Sequence, residues 1–367
     1  MRIKLIQCGD LHLDAPFSSL SDMHGKPEQR RNDLKLALSR IVEAARDEGA
    51  ELLLICGDLY EHNYIRKSTI RYVCDQFKMI PNISVLMIPG NHDPAVSGSY
   101  YSDFIWPPNV HVLTEGIFYE HPNGTRVYGD IPPSGSLDHS RINIIMIHGT
   151  LDMPFSTDAF RPVSGPELEA YGFDFCALGH FHTRLEGAGS DKRIYNAGSP
   201  EPLGFDEEGG HGIYAVEISK EPDGESKLRA DFLEINRRRF INIEVQITGC
   251  VSNEQAAEQA EEAIRRAGGI EDLYRVSLFG YLAHNLRMDT EVITDLLAAK
   301  AFYIRVEDQT APEFDFEQIA EEPGLRGLFV RKMLDRALTA RESEEKDLIM
   351  QALYYGLEAI NEGKVWL

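Results

Sequence analysis

The sequence predicts an α/β protein in which a two-sheet β-sandwich flanked by helices is followed by a small α/β cap domain and a C-terminal helical tail. Three observations lead to this prediction. Up to about residue 235, near-continuous apolar runs alternate with helical segments and turns, and such runs are typical of buried parallel strands. A second strand–helix alternation follows, between residues 240 and 306. Beyond it, apolar residues recur at helical spacing.

The chain opens with a βαβαβ unit. Apolar runs cover residues 3–6, 51–56 and 83–88, and the segments 34–45 and 66–79 between them fit helices, the first with clear amphipathic spacing. A unit of this kind is connected by right-handed crossovers. We therefore expect helices to cover both faces of the sheet.

The next strands are shorter and are separated by more turns. The pair Asn123-Gly124 predicts a hairpin turn within residues 116–128. Residues 142–149 and 173–182 return to the buried-strand pattern. Three further segments are predicted to be antiparallel strands that close a second sheet: 193–195, 212–219 and 228–235. Together these strands predict the two-sheet sandwich.

The pattern breaks near Asn236–Arg239, which predicts a core domain over residues 1–236 and a cap domain over residues 237–310. Residues 311–367 are predicted to be a linker and C-terminal helices, because the segment 308–323 is acidic and contains two prolines. Within the cap, the predicted strands and helices alternate in this order: 240–247, 253–267, 274–282, 289–299 and 302–306.

Two C-terminal helices, 325–341 and 348–360, carry large apolar surfaces. The first has a single apolar face, and the second is apolar almost all round. Surfaces of this size need a partner. Two interpretations remain open: the helices pack on the chain's own body, or they bind a helix of another protein.

Composition limits the location and the class of the protein. The chain has 43% apolar residues, enough for a sizeable core, and no apolar stretch of the ~18 residues that a membrane span needs. Its start shows no signal-peptide pattern, and its five cysteines fit neither a disulfide framework nor a zinc knuckle. We therefore expect a cytoplasmic protein with reduced thiols. The formal net charge of −22 argues against a nucleic-acid partner.

Short polar clusters follow five of the apolar runs. In open α/β sheets the carboxyl ends of the strands form the ligand-binding edge, so these clusters are expected to meet. Their carboxylates, amide and imidazoles are sufficient for two metal ions, and a carboxylate combined with imidazole suits manganese, iron or zinc better than calcium. The clusters are Asp10-Leu11-His12, Gly57-Asp58, Gly90-Asn91-His92-Asp93, His148-Gly149 and Gly179-His180-Phe181-His182.

The order of these clusters resembles the signature of the calcineurin-like metallophosphoesterases, and the resemblance covers residues 1 to about 235. It implies two divalent metal ions, with manganese favoured over iron or zinc, and a water-mediated attack on a phosphoester. One ion would be bound by Asp10, His12 and His182. The second ion would be bound by Asn91, His148 and His180.

The same resemblance implies roles for three residues between and beside the ions. Asp58 would bridge the two metals, since a carboxylate can offer one oxygen to each ion. His92 would donate a proton or a hydrogen bond to the phosphate or the leaving oxygen, and Asp93 would orient the ring of His92. Asp14 and Glu61, which flank the motifs, are candidate hydrogen-bond acceptors for the ligands.

Within the superfamily, the stretches 10–16 and 57–60 look like those of DNA-repair exonucleases. The order of core, cap and helical tail is similar to that of the nuclease subunit of the bacterial SbcCD complex. This resemblance implies a DNA exonuclease or endonuclease, DNA as a partner, and a homodimer formed through core helices. It also implies that the C-terminal helices bind an SMC-like coiled-coil ATPase subunit.

Two alternatives belong to other classes of protein: a phosphodiesterase that acts on small nucleotides, and a non-catalytic docking scaffold. The negative net charge argues against DNA binding most strongly in the cap, whose only dense basic feature is Arg237-Arg238-Arg239. This triplet is expected either to bind a phosphate backbone or to be solvated. The acidic loop 204–210 is expected to be solvated.

Overall fold

The computed structural model describes residues 1–20, 25–152, 160–221, 224–283, 286–340 and 342–362. The strands are β1 (Arg2–Cys8), β2 (Leu52–Cys56), β3 (Ser84–Ile88), β4 (Val110–Val112), β5 (Phe118–Glu120), β6 (Arg126–Tyr128), β7 (Asn143–His148), β8 (Phe175–Gly179), β9 (Leu185–Ala188), β10 (Ile194–Asn196), β11 (Gly212–Lys220), β12 (Ser226–Glu234), β13 (Phe240–Gln246), β14 (Leu273–Ala283) and β15 (Tyr303–Glu313). The helices are α1 (Lys26–Asp47), α2 (Lys67–Lys78), α3 (Tyr100–Asp103), α4 (Gly165–Glu169), α5 (Asn253–Ala267), α6 (Thr290–Leu297), α7 (Phe316–Glu321), α8 (Leu325–Thr339) and α9 (Ser343–Glu362).

Two six-stranded sheets form the sandwich, which confirms the predicted fold class. The first sheet has the order β12-β11-β1-β2-β3-β4, and the second has the order β5-β6-β7-β8-β10-β9. The strands β1 to β4 are parallel to one another, as are β6, β7, β8 and β10. The hairpin around Asn123-Gly124 joins β5 to β6, as predicted.

The prediction for the strands after residue 190 was partly wrong. β11 and β12 extend the first sheet, where β11 is antiparallel to β1, and do not close the second. β10 does lie in the second sheet, where it is antiparallel to β9, as predicted, and parallel to β8. The alternating pattern of these strands predicts one buried face, and either sheet offers a surface that can cover such a face.

The main core lies between the two sheets. Buried side chains from both sheets meet there, and each contributes about 1.5–3 kcal/mol by leaving water. α1 buries an apolar stripe, with helical spacing, that includes Leu34, Leu38 and Ile41. The core side chains between the sheets include Ile3, Leu5, Leu54, Leu86, Ile144, Met146, Phe175 and Val216.

The chain divides into two compact units. Unit 1 comprises Met1–Asn242 and Gly269–Tyr274, and unit 2 comprises Ile243–Gly268 and Arg275–Leu367. Unit 2 contains β15 and most of β13 and β14, which form a three-stranded sheet in the order β13-β14-β15. The segment predicted to be a linker is partly regular structure. β15 continues to Glu313 despite Pro312, and α7 follows at once. Proline is tolerated in an edge strand, which β15 is.

The C-terminal helices of unit 2 cover one another in part. Val330 of α8 is fully buried against Leu353 and Leu357 of α9, and α7 adds Ile319 to the same cluster. Other leucines remain outside it: Leu338 is 83% exposed and Leu348 is 66% exposed. The tail therefore packs in part on the chain itself, while binding of another protein's helix by the exposed leucines stays a prediction. No described helix is both long enough and apolar enough to cross a membrane.

Candidate metal centre

The polar clusters follow strands whose carboxyl ends share an edge. β1, β2 and β3 are parallel neighbours in one sheet, and β7 and β8 are parallel neighbours in the other. The backbone leaves these strands in a left-handed conformation at several polar residues, with positive φ at Asp10, His12, Asp58 and His180. Non-glycine residues in this region carry strain of about 1–3 kcal/mol each and are concentrated at functional sites.

Two motif glycines allow the strand ends to approach one another. A Cβ atom on Gly57 would overlap the ring of His148, and a Cβ atom on Gly90 would overlap the carboxylate of Asp58. Gly57 also has a positive φ of 86°. Any other residue at either position would therefore push the polar side chains apart.

One group of donor atoms consists of Asp10, His12 and His182. Their ligand atoms all lie within 4.8 Å of one another. The Nε2 atoms of His12 and His182 are 3.0 Å apart. Asp10 is buried, and its carboxylate accepts a hydrogen bond from the backbone N–H of His180. This is the first of the two groups predicted from the motifs.

A second group surrounds Asn91. Its Oδ1 lies 2.9 Å from Nε2 of His148 and 3.1 Å from Nδ1 of His180. Asp58 lies between the two groups, with Oδ2 at 3.2 Å from Nε2 of His148 and 3.7 Å from Nε2 of His12. All seven predicted ligands are thus brought together, while the assignment of each one to an ion stays a prediction.

Hydrogen bonds on the far side of three rings fix how these histidines face the centre. The Nδ1–H group of His12 points at Glu61 (2.8 Å), that of His182 points at Glu207 (2.7 Å), and that of His148 points at the carbonyl of Cys56 (2.8 Å). Metal-binding histidines are held in this way, because a donated Nδ1 proton leaves the Nε2 lone pair to the metal.

This donor set fits divalent metal ions. With both Nδ1 protons donated outward, His12 and His182 direct two Nε2 lone pairs at each other across 3.0 Å. Two lone pairs at this distance repel unless a proton or a cation lies between them. The mixture of imidazole, carboxylate and amide donors suits manganese, iron or zinc.

The charges of the centre shift the acidity of its members. Burial would lower the pKa of His148, but hydrogen bonding to Asp58 and the charge of Asp10 raise this pKa to about 9. Burial likewise opposes the raised pKa of His182, about 9, which the Glu207 carboxylate causes. Burial would raise the pKa of Asp58, yet His148 and His12 hold it at about 2. The cluster therefore attracts positive charge, whether protons or metal ions.

Asp93 was expected to orient the ring of His92, but in the structure Glu61 contacts that ring. The Nδ1 atom of His92 is 3.1 Å from Oε2 of Glu61. The buried carboxylate of Asp93 instead accepts hydrogen bonds from Tyr101 Oη (2.7 Å) and from four backbone N–H groups, those of Asp58, Leu59, Tyr60 and Gly90. Asp93 thus fixes the backbone of two ligand loops, because a buried carboxylate needs several donors.

Glu61 holds two histidines at once. One of its oxygens meets His12 and the other meets His92, and the two imidazole centroids are 4.7 Å apart. Burial would raise the pKa of Glu61, but hydrogen bonds from His12 and His92 lower it to about 2. Asp14, the other candidate acceptor, lies elsewhere and accepts from the N–H group of Arg66 at the start of α2.

Sequence reasoning missed Glu207, because the loop 204–210 looks solvated. Its side chain is buried and contacts His182. Ser199 Oγ and the N–H group of Leu203 donate to its second oxygen at 2.6 and 3.1 Å. The residues that hold Glu207 follow different strands, so no short motif could have indicated it.

Each side chain of the basic triplet Arg237-Arg238-Arg239 has a carboxylate partner, and binding of phosphate by the triplet stays a prediction. Arg238 is buried and lies 2.8 Å from Asp33 and 2.7 Å from Glu271. Arg239 pairs with Asp272 at 2.7 Å. Arg237 lies 3.4 Å from Asp33 and from Glu271. The triplet serves a structural network within unit 1.

Several known proteins are similar to this chain. Residues 3–184 match the family model of the calcineurin-like phosphoesterases. The uncharacterized metallophosphoesterase YhaO of Bacillus subtilis is 27% identical over 237 residues, which is 59% of this chain and 58% of that protein. A subunit of the nuclease SbcCD of Staphylococcus epidermidis is 25% identical over 224 residues, 49% of this chain and 57% of that one.

A third relative is the DNA double-strand break repair protein Mre11 of Saccharolobus solfataricus. It is 25% identical over 246 residues, which is 60% of this chain and 61% of that protein. The chain thus spans less than two thirds of the length of each of these three relatives.

Proposed function

Residues 3–184 belong to the calcineurin-like phosphoesterase family, and on this premise we propose that the chain is a two-metal phosphodiesterase that cleaves DNA. One observation carries the proposal: two groups of metal-type donors share Asp58, and His92 lies beside them. A docking scaffold has no need of such a centre. The names of two relatives, a nuclease subunit and a double-strand break repair protein, favour DNA as the substrate.

Asp10, His12 and His182 would hold one ion, and Asn91, His148 and His180 the other. Two bound ions lower the pKa of a water molecule and stabilise both oxygens of an in-line displacement. Asp58 would bridge the two ions, and its Oδ2 atom lies 3.2 Å from Nε2 of His148 and 3.7 Å from Nε2 of His12. We favour manganese, with iron and zinc also compatible with these ligands.

His92 is the proposed proton donor to the leaving oxygen. Its ring is about half exposed, so a substrate can reach it, and Glu61 fixes its Nδ1 side. The opposite edge of the ring is then directed away from Glu61. A ring that Glu61 holds on one side is pre-oriented for proton transfer to the leaving oxygen on the other side.

We also propose the division into core, cap and C-terminal segment at residues 1–236, 237–310 and 311–367. The exposed apolar side chains Tyr64, Val96 and Ile105 support a homodimer formed by the core. The exposed Leu338 and Leu348 support binding of a coiled-coil ATPase subunit by the C-terminal helices. Five free, buried cysteines support a reducing, cytoplasmic location.

A phosphodiesterase for small nucleotides is the second candidate. The net charge of −22 and the neutralised triplet Arg237-Arg238-Arg239 favour it, since binding of duplex DNA rests on neutralising phosphates. Both candidate functions use the same centre, and they differ only in the substrate that carries the reacting phosphate.

The test combines purified protein with end-labelled linear DNA and with bis(p-nitrophenyl) phosphate, each with manganese and with a chelator. The proposal predicts manganese-dependent cleavage of both. Hydrolysis of the small diester with intact DNA would favour the second candidate. Asn91→Ala should remove both activities, and turnover that survives this change would contradict the two-metal assignment.

A further inference from the structure

A cavity of about 380 Å³ opens beside the metal centre, within unit 1. His182, a proposed metal ligand, forms part of its wall, and Arg184 follows two residues later in the same segment. The cavity volume lies within the range of ligand-binding clefts, roughly 300–1,000 Å³. A group bound there would be adjacent to the reacting phosphate.

Arg184 is held in place without being neutralised. Its guanidinium carbon lies 4.5 Å above the ring centre of Phe232, and Phe232 packs edge-on against the buried Tyr214 at 5.4 Å. Among the described residues, no carboxylate forms an ion pair with Arg184. By contrast, the arginines at 237–239 all have acidic partners. An exposed guanidinium on an aromatic ring is pre-organised for phosphate binding.

The lining of the cavity also contains acidic side chains. Glu208 and Glu234 line it together with Phe232, and Glu207 is already occupied by His182 and Ser199. Carboxylates repel a phosphate but accept hydrogen bonds from hydroxyl and amino groups. A cation and hydrogen-bond acceptors that line the same cavity match a nucleotide, which carries a phosphate as well as a sugar and a base.

We propose that this cavity binds the nucleotide next to the scissile phosphodiester, with its phosphate on Arg184. The inference rests on the proposed function, since it needs a phosphodiester at the metal centre. It also identifies a cation that can recognise a second phosphate in a chain whose net charge is −22.

The experiment uses a matched pair of chromogenic substrates. The first is the p-nitrophenyl ester of thymidine 5′-phosphate, and the second carries an additional phosphate on the 3′ oxygen. A second, isomeric pair carries the p-nitrophenyl ester on the 3′-phosphate and the additional phosphate on the 5′ oxygen. It tests binding of the substrate strand in the opposite direction. The wild-type protein should prefer the doubly phosphorylated substrate of at least one pair by about tenfold to a hundredfold in kcat/KM, as expected for one charged hydrogen-bonding contact.

Arg184→Ala should abolish this preference, and Arg184→Lys should restore part of it. Arg229→Ala is the matched control: Arg229 lies on β12 like Phe232, is exposed and pairs with Asp231, so the preference should remain. If the thermal transition shows that Arg184→Ala does not fold, Arg184→Gln replaces it, and the same loss of substrate preference is expected.

Three outcomes overturn the subsite. The first is a wild-type protein without a preference in either pair, and the second is an Arg184→Ala variant that keeps the preference. The third is an Arg229→Ala variant that loses the preference as completely as Arg184→Ala does. In each case turnover of the singly phosphorylated esters leaves the proposed function intact. If the wild type hydrolyses none of the diesters with manganese, the proposed function itself fails.

Discussion

The candidate metal centre of unit 1 and the C-terminal helices of unit 2 differ in how far their side chains are enclosed by the protein. At the centre, His12, His182 and His148 are each fixed by an outer partner, respectively Glu61, Glu207 and the carbonyl of Cys56. In the helices, Leu353 is fully buried while Leu338 is almost fully exposed. The first region is complete within one unit, and the second leaves apolar surface uncovered.

Under the proposed function the two regions have different roles: the centre would bind metal ions, and the exposed helix face would bind a partner. Metal ligands lose affinity when they are free to turn, so the protein has to supply the groups that hold them. A surface that binds a partner gains by staying exposed until the partner arrives. Substitutions should therefore reduce catalysis at the centre, whereas on the outer face of the helices they should leave folding unchanged.

The largest expected effect is that of Asp58→Asn, because Asp58 belongs to both donor groups. Metal ions contribute several kcal/mol of charge stabilisation, and each ~1.4 kcal/mol is a factor of ten in rate. We expect kcat for bis(p-nitrophenyl) phosphate to fall by about a thousandfold or more, with fewer bound ions by elemental analysis. Retention of two ions and of kcat would show that Asp58 is not shared.

Arg238→Ala should act on stability, since its charge is buried between Asp33 and Glu271. Breaking a buried ion pair costs about 3–5 kcal/mol. The exposed Arg46 beside Asp47 provides the control, for which Arg46→Ala should change the unfolding free energy by less than about 0.5 kcal/mol. Urea denaturation measures both. A stable Arg238→Ala protein with weaker DNA binding would return the triplet to phosphate recognition.

Glu61→Gln and Asp93→Asn should separate catalysis from support. Glu61 contacts His92 and His12 directly, so Glu61→Gln should lower kcat by about 10–100-fold with an almost unchanged melting temperature. Asp93 holds backbone N–H groups, so Asp93→Asn should cost about 1–3 kcal/mol of stability. The reverse pattern in kinetics and thermal melting would restore Asp93 as the residue that orients His92.

The smallest expected effect is that of Leu338→Ala, which should change the unfolding free energy by less than about 0.5 kcal/mol. Leu353→Ala, in the core of the same helices, should cost about 2–5 kcal/mol. Urea denaturation of the full chain compares the two. Equal costs would mean that the outer face of α8 is part of the folded core and is not kept for a partner.

The fold class was predictable because it follows from local sequence, whereas the seven candidate ligands were selected from the polar clusters by the family resemblance and their role stays a prediction. Continuous apolar runs predict buried strands, and a polar cluster after each run predicts a shared edge. The sheet membership of β11 and β12 was not predictable, because an alternating strand fits either sheet. The partners of the ligands were also not predictable in full.

Glu207 illustrates the reason. The segment Asp206-Glu207-Glu208 among glycines is typical of a solvated loop, and only contacts with His182 and Ser199 bury its middle residue. The arginine triplet shows the same limit. It was expected either to bind phosphate or to be solvated, and neither expectation indicated its partners Asp33, Glu271 and Asp272.

The number and position of the bound ions test the central claim most directly. Crystals of the protein grown with manganese can be measured at the manganese absorption edge, where anomalous scattering locates each ion. We predict two peaks about 3.5–4 Å apart, on either side of the Asp58 carboxylate, with His12 and His182 at one and Asn91 and His148 at the other. A single peak, or peaks that do not contact Asp58, would contradict the two-metal centre.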